Sequence, residues 1–307
     1  MTLSVTAYDE ATDTWGVAVV SSCVAVGASV PWGAAGSGAI ATQALANLSY
    51  GPRGLELLRA GTSAEDVVAA LVGDDPLASQ RQVGVVDADG GAAAHTGGDC
   101  IEWSGHRTGP GVSVQGNLLA GPEVVEAMFE AFNSSTDRHL GRRLVTTLSA
   151  GRSVGGDRRT GEAAALGPWR HDSAAVRLWR AGAAYGGELD IAADLRIDDH
   201  PDPLEELRRL LELHHLYYGR PEPGALLPLT PPLVAEVTES LISLGYRPED
   251  HGGFDAALYQ WVGVNNLEER LVPEHLDHAV YEVLRAQVRA MVPGADPGRG
   301  GTRSEDA

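Results

Sequence analysis

The chain of 307 residues carries 42 acidic and 23 basic side chains, a formal net charge of −19. Every basic residue is arginine, and there is no lysine. That balance argues against nucleic-acid partners, which demand clustered basic charge, and against anionic membrane surfaces. The missing lysine removes Schiff bases, Walker-type phosphate lysines and lysine general bases.

A hydrophobic content of 43% over this length predicts a globular protein of about two domains. Residues 3–8 and 15–20 read as strands joined by a polar turn at 9–14, a hairpin at the start of the chain. The small, Gly-rich residues 24–42 favour strand and loop over helix. Helices are expected at 51–60 and from Ser63, whose spacing to Asp66 fits a capping box ahead of Val67, Val68 and Leu71. Strands at 82–87 and 92–96 flank Asp89-Gly90-Gly91, a hairpin signal, and 112–115 adds a short strand. A helix starts with Pro122 in its first position and runs to Phe132, and 140–150 continues helical. Residues 174–180 and 192–197 alternate as strands, and Leu204–Tyr218 is an amphipathic helix. Five prolines between Arg220 and Pro232 predict a linker at 221–232. A compact helical segment at 233–290 and a polar, Gly-rich, disordered tail at 291–307 complete the expected layout.

The first nine residues have no basic n-region and no apolar h-region, and no run approaches ~18 apolar residues, so the expected address is the cytoplasm. Cys23 and Cys100 form no C-x-x-C pair, which argues against a disulfide framework or structural zinc, and Cys23 reads as a small buried residue. There is no H-E-x-x-H, G-x-S-x-G, Walker A or EF-hand motif, and Gly33–Gly38 has the wrong spacing for a dinucleotide loop. No cofactor and no metal are expected. The adjacent His214 and His215 cannot share one helix face.

Thr2 is the informative residue. Methionine aminopeptidases remove Met1 ahead of a small residue, and a terminal threonine then combines a nucleophilic hydroxyl with its own α-amine as base, of ordinary pKa near ~8. Met-Thr is a common start, so context has to carry the reading.

Five ordered stretches supply that context: Thr42-Gln43-Ala44-Leu45-Ala46-Asn47-Leu48-Ser49-Tyr50-Gly51-Pro52-Arg53-Gly54-Leu55-Glu56-Leu57-Leu58, Arg81-Gln82-Val83-Gly84-Val85-Val86-Asp87, Gln115-Gly116-Asn117-Leu118-Leu119, Gly155-Gly156-Asp157-Arg158-Arg159 and Asp194-Leu195-Arg196-Ile197-Asp198-Asp199-His200-Pro201-Asp202-Pro203. They resemble the DUF1028 family, a bacterial group placed in the Ntn-hydrolase superfamily. The likeness covers about residues 1–218. It implies an α+β fold, a four-layer αββα Ntn-hydrolase-like sandwich over 1–220 with an N-terminal nucleophile, followed by a small all-α domain. Residues 233–290 resemble the peptidoglycan-binding-like domain that some members carry, through Leu244-Gly245-Tyr246, Phe254-Asp255, Ala257-Leu258, Trp261 and Asn266-Leu267-Glu268-Glu269-Arg270.

On this reading the chain is an amidohydrolase acting on a small amide or related acyl substrate. Without lysine the α-amine is the remaining base. Asn117 and Asn47 are candidate oxyanion donors, each with turn or cap roles as the alternative. Ser21 and Ser22 end the second strand beside the nucleophile, and Ser22 joins the catalytic candidates. Gln43 is a candidate substrate contact, with satisfaction of strand-end backbone as the alternative, and Gly116 would let the backbone approach a ligand. Asp157, Arg158 and Arg159 complete the binding set, with the arginines supplying a fixed positive charge, either near the N-terminus or as a fork for a substrate carboxylate. Asp198, Asp199, His200 and Asp202 offer metal ligands, against a turn-and-cap alternative that their prolines favour. A catalytically silent scaffold that binds a ligand, a cell-wall glycan or peptide or its cytoplasmic precursor, is the competing function. A homo-oligomer fits either function.

Overall fold

Leu3, Val5 and Ala7 alternate with Thr2, Ser4 and Thr6, so the first strand has one apolar and one polar face. It is β1 (Thr2–Asp9), and it returns through a turn into β2 (Thr14–Ser21). The computed structural model describes residues 1–157 and 172–291, which fall into two units divided between Glu212 and Leu213.

In the first unit, β1 is the centre of a six-stranded antiparallel sheet. Its order is β10 (Ile191–Ile197), β9 (Ser173–Trp179), β2, β1, β8 (Val112–Asn117), β7 (Gly105–Gly109). A second antiparallel sheet runs β3 (Pro31–Ala34), β4 (Gly38–Ala44), β5 (Arg81–Asp87), β6 (Ala92–Thr96). The two sheets pack face to face through Trp15, Val17, Val19, Ala39, Ala41, Ala175 and Trp179.

The outer faces are covered by helices. The apolar face of β1 meets α3 (Glu123–Ser134), α4 (Leu140–Ser153) and α5 (Pro203–Tyr218) through Met128, Leu144, Leu148, Leu207 and Leu211. On the second sheet, Ile40, Val83 and Val85 pack under α1 (Tyr50–Arg59) and α2 (Ala64–Gly73). This is the expected α+β sandwich, in four layers. Ser63 caps α2 by accepting from the Asp66 N–H at 3.2 Å, as the capping-box spacing predicts. β7 carries no sequence signal: Gly105-His106-Arg107-Thr108-Gly109 is too polar and Gly-rich to read as a strand, and pairing with β8 makes it one.

The second unit is helical: α6 (Pro231–Ser243), α7 (Pro248–His251), α8 (Phe254–Val264) and α9 (His278–Ala290) surround Val237, Leu241, Leu258, Trp261, Val262 and Leu284. The segment 221–232, expected as a linker, is part of this unit. Leu226–Pro228 (β11) pairs with His275–Asp277 (β12), and Leu227 and Leu229 pack on the core. Prolines suit this edge because the two-stranded pair needs few donors. The unit begins before residue 220, since Leu216 packs in its core and the His215 and Leu216 carbonyls accept from Arg270. Arg270 also forms a buried pair with Asp277 at 2.6 Å. The predicted tail, apart from Met291, lies outside the described residues.

Candidate active site

Pleating sends Thr2, Ser4 and Thr6 of β1 and Ser113, Gln115 and Asn117 of β8 to the face opposite Leu3, Val5, Val112 and Val114, between the two sheets. Half of the sheet interface is therefore polar and buried. Gln115 Nε2 donates across it to the Ala41 carbonyl at 3.1 Å, and Gly84 makes room, since a Cβ there would lie 2.2 Å from Gln115 Oε1. The side-chain oxygens of Ser4 and Thr6 have no hydrogen-bond partner among the described residues.

Thr2 stands at the end of this stripe, paired through the backbone with Ser21 on one side and Asn117 on the other. Its hydroxyl lies 2.9 Å from Ser21 Oγ. Ser21 spends its own proton on the Met1 carbonyl at 2.8 Å, so Thr2 is the donor of the pair. The Ser22 N–H also donates to the Met1 carbonyl, at 3.2 Å. Met1 is buried, its side chain packed with Leu3 and its ammonium 3.8 Å from Asp157 Oδ2. Asp157 accepts from Ser22 Oγ at 3.1 Å. It is placed there by an antiparallel bridge to Leu119 and by the Ala120 N–H bonding the Gly156 carbonyl, so 155–157 lies beside the segment that follows Asn117.

Of the residues singled out in the sequence, Thr2, Ser22, Asn117 and Asp157 thus gather at one end of the sheet. Gln43 joins them through Gln82: Gln43 Nε2 donates to Gln82 Oε1 at 2.7 Å, and Asn117 Nδ2 donates to the same oxygen at 3.0 Å. Gln82 is wholly buried. It belongs to the Arg81–Asp87 stretch, and strand register sets it opposite Gln43 across the β4–β5 pair. Ser21, rather than Ser22, reaches the Thr2 hydroxyl, because it is the residue in register with Thr2.

Gly116 is closely packed: a Cβ there would lie 2.8 Å from the ends of both Leu3 and Leu119 side chains. Asn47 takes its turn role. Its Nδ2 donates to Asp75 Oδ2 at 2.9 Å and its Oδ1 accepts from Ser49 N–H and Oγ just ahead of α1, so both ends of the amide are engaged by Asp75 and Ser49. Cys23 is exposed, with Sγ 3.4 Å from Ser21 Oγ. Arg158 and Arg159 lie outside the described residues.

Asp75 gathers a second polar cluster. Its carboxylate accepts from Asn47, from Arg81 Nε at 2.9 Å, from the Tyr50 hydroxyl at 3.0 Å and from the Leu77 N–H at 2.9 Å. The Asn47 and Arg81 hydrogen bonds hold its carboxyl well below the usual carboxylate range. Burial, and then the bond to Asp75, push the Tyr50 hydroxyl up to about 12.

On the other flank of β8, an open groove of about 550 Å³ is lined by Thr96, Cys100, Trp103, His106, Arg107 and Glu126 among others. Desolvation of its ring, and then the nearby His95, lower the His106 pKa, although the residue as a whole is exposed. In the Asp198–Asp202 segment, His200 Nδ1 accepts from the Asp202 N–H at 3.0 Å, a local turn contact, and the Asp198 carbonyl accepts from the distant Ala25 N–H. Among the described residues, no group of three or more His, Cys, Asp or Glu gathers as a metal site, and no helix is long and apolar enough to cross a membrane.

Residues 2–207 match the family model "Family of unknown function (DUF1028)". Residues 217–284 match a second family, PG_binding_2, described as "Putative peptidoglycan binding domain". Among solved structures, the chain is similar to a DUF1028 protein of Silicibacter pomeroyi, at 30% identity and a TM-score of 0.60, over 70% of this chain and 89% of that one. No curated protein matches the chain.

Proposed function

The chain belongs to the DUF1028 family, whose function is unknown, and for this member we propose an N-terminal-nucleophile amidohydrolase that uses Thr2 once Met1 is removed. The observation that carries the reading is the seat of Thr2: the end of a central strand, with a hydroxyl donor–acceptor partner in Ser21 and a carboxylate, Asp157, within ionic reach of the chain terminus.

Loss of Met1 turns the Thr2 nitrogen into a free amine. The amine takes the hydroxyl proton as Oγ1 attacks the substrate's acyl carbon, and Asp157 stabilises the ammonium that results. The acyl–nitrogen bond breaks, the leaving amine takes up that proton, and water then releases the acyl group. Ser21 Oγ and Ser22 N–H, which hold the Met1 carbonyl, become free to hold the substrate's oxygen, and Asn117 flanks the other side. Gln43 contacts substrate, and Arg158 and Arg159, next to Asp157 in sequence, receive a substrate carboxylate.

Intact mass of the natively expressed chain, followed by p-nitrophenyl acetate labelling, tests this. The expected result is a chain lacking Met1 and a hydroxylamine-labile acetyl ester on Thr2, absent from Thr2→Ala. A lysine-free chain keeps the background low. Retained Met1, or label that never maps to Thr2, overturns the proposal.

The match of residues 217–284 favours one additional role: the C-terminal domain binds a peptidoglycan-related partner. The full chain should pellet with purified peptidoglycan sacculi. A chain that stays in the supernatant at every sacculus concentration removes this role and leaves the Thr2 reaction standing.

A further inference from the structure

Gln82 Nε2 lies 2.8 Å from the Gly116 carbonyl and 3.2 Å from the Gly105 carbonyl. Backbone carbonyls can only accept, so the group facing them is the NH2 and the orientation of this amide is fixed by the main chain. Its Oε1 therefore faces Asn117 at 3.0 Å and Gln43 at 2.7 Å, and each of those amides has to turn its own NH2 toward it. One Asn117 N–H remains beyond the one given to Gln82. The Gln43 oxygen, on a residue only 2% exposed, is left without a hydrogen-bond partner among the described residues.

We propose that Gln82 is the positioning residue of the Thr2 site. It orders the three amides so that Asn117 offers a donor beside the nucleophile and Gln43 offers an acceptor, which suits a substrate bearing an N–H group. This rests on Thr2 being the nucleophile. A role confined to tying the two sheets together would need only the bonds to Gly116 and Gly105. It would not need two further side-chain amides converging on Oε1, one of them next to Thr2 in the β1–β8 register.

The test is the acetylation rate of Thr2 by p-nitrophenyl acetate in the full chain, compared with the rate for the p-nitrophenyl ester of N-acetylglycine, which adds an N–H. Gln82→Met, close in volume and without polar ends, should slow the maximal rate about 100-fold with KM for the acetate nearly unchanged, the scale of a misplaced catalytic group. It should also erase a preference of the wild type for the N-acetylglycine ester. In the Asn117→Ala background the same substitution should cost little further maximal rate, because the group that it positions is gone.

Trp15→Phe removes another tie between the sheets, the Trp15 Nε1 bond to the Asp87 carbonyl, and should leave the rates unchanged. Should Gln82→Met not fold, Gln82→Glu, which keeps acceptors for Asn117 and Gln43, takes its place, with a smaller loss expected and the same non-additivity. Additive losses, or an unchanged rate, overturn the positioning role while Thr2 chemistry stands. A wild type that forms no ester at Thr2 overturns both.

Discussion

Two aspartates in the sandwich stand in contrasting polar surroundings. Asp75 is surrounded by Asn47, Tyr50, Arg81 and the Leu77 N–H, all fixed parts of the fold, and together they lock the turn before α1 to the start of β5. Asp157 faces Ser22 and the chain terminus. The terminus is the one partner whose chemistry changes when a residue is removed. The donors around Asp75 all belong to the fold, whereas those around Asp157 include a hydroxyl and the terminal ammonium on which the proposed chemistry rests.

The largest contrast is expected from the nucleophile. Thr2→Ala should abolish the hydroxylamine-labile adduct altogether while leaving the melting temperature nearly unchanged, since it removes one hydroxyl partner of Ser21. Mass spectrometry and a thermal melt of the same sample check both halves. Next comes Asp75→Ala, which strands the buried Arg81. It should lower the melting temperature on the order of 10 °C, without altering the rate per folded molecule.

Asp157→Ala should reverse that pattern. Its stability cost is about 1–2 kcal/mol, read by urea unfolding, but adduct formation should slow far more. Equal effects of the two aspartate substitutions on rate would erase the distinction between the clusters. Asn47→Ala belongs with Asp75 and should cost about 1 kcal/mol with no change in the rate.

The smallest effect is in acid. A carboxyl held below its ordinary value near 3.8 contributes stability that is present above that value and is lost as pH falls toward its folded-state pKa. Asp75→Asn should therefore show a flatter loss of stability below about pH 4 than the wild type. At the other extreme, the raised Tyr50 contributes stability that is lost as pH rises from about 10 through about 12. Tyr50→Phe should flatten that limb in a pH series of urea midpoints.

Alternation and turn chemistry carried much of the fold into view from the chain alone. The hairpin of β1 and β2, the strands on either side of Asp89-Gly90-Gly91, and the helices after Ser63 and Leu204 rest on local periodicity and capping, which neighbours reinforce rather than create. β7 and the β11–β12 pair did not show, because a three- to five-residue polar or proline-bearing segment becomes a strand only when a partner strand supplies its hydrogen bonds.

In the candidate site, Thr2 is marked by its place after Met1, and Asn117, Asp157 and Gln43 by their residue types inside ordered motifs. Their convergence did not follow from spacing, since Thr2, Gln43, Gln82, Asn117 and Asp157 are brought together by strand register across two sheets. Asn47 and Gly116 have residue types suited to a site, and only the folded surroundings show the turn contact of one with Ser49 and the close approach of Leu3 and Leu119 to the other.

Composition alone established that any base at the Thr2 hydroxyl has to be something other than lysine, because there is none in the chain. That is a fact of covalent chemistry, independent of folding. Which polar groups stand around Thr2, and which way their amides face, depends on hydrogen bonds between residues dozens of positions apart. Those bonds exist only after the two sheets close on each other, since a buried amide has to satisfy its donors within the folded interior.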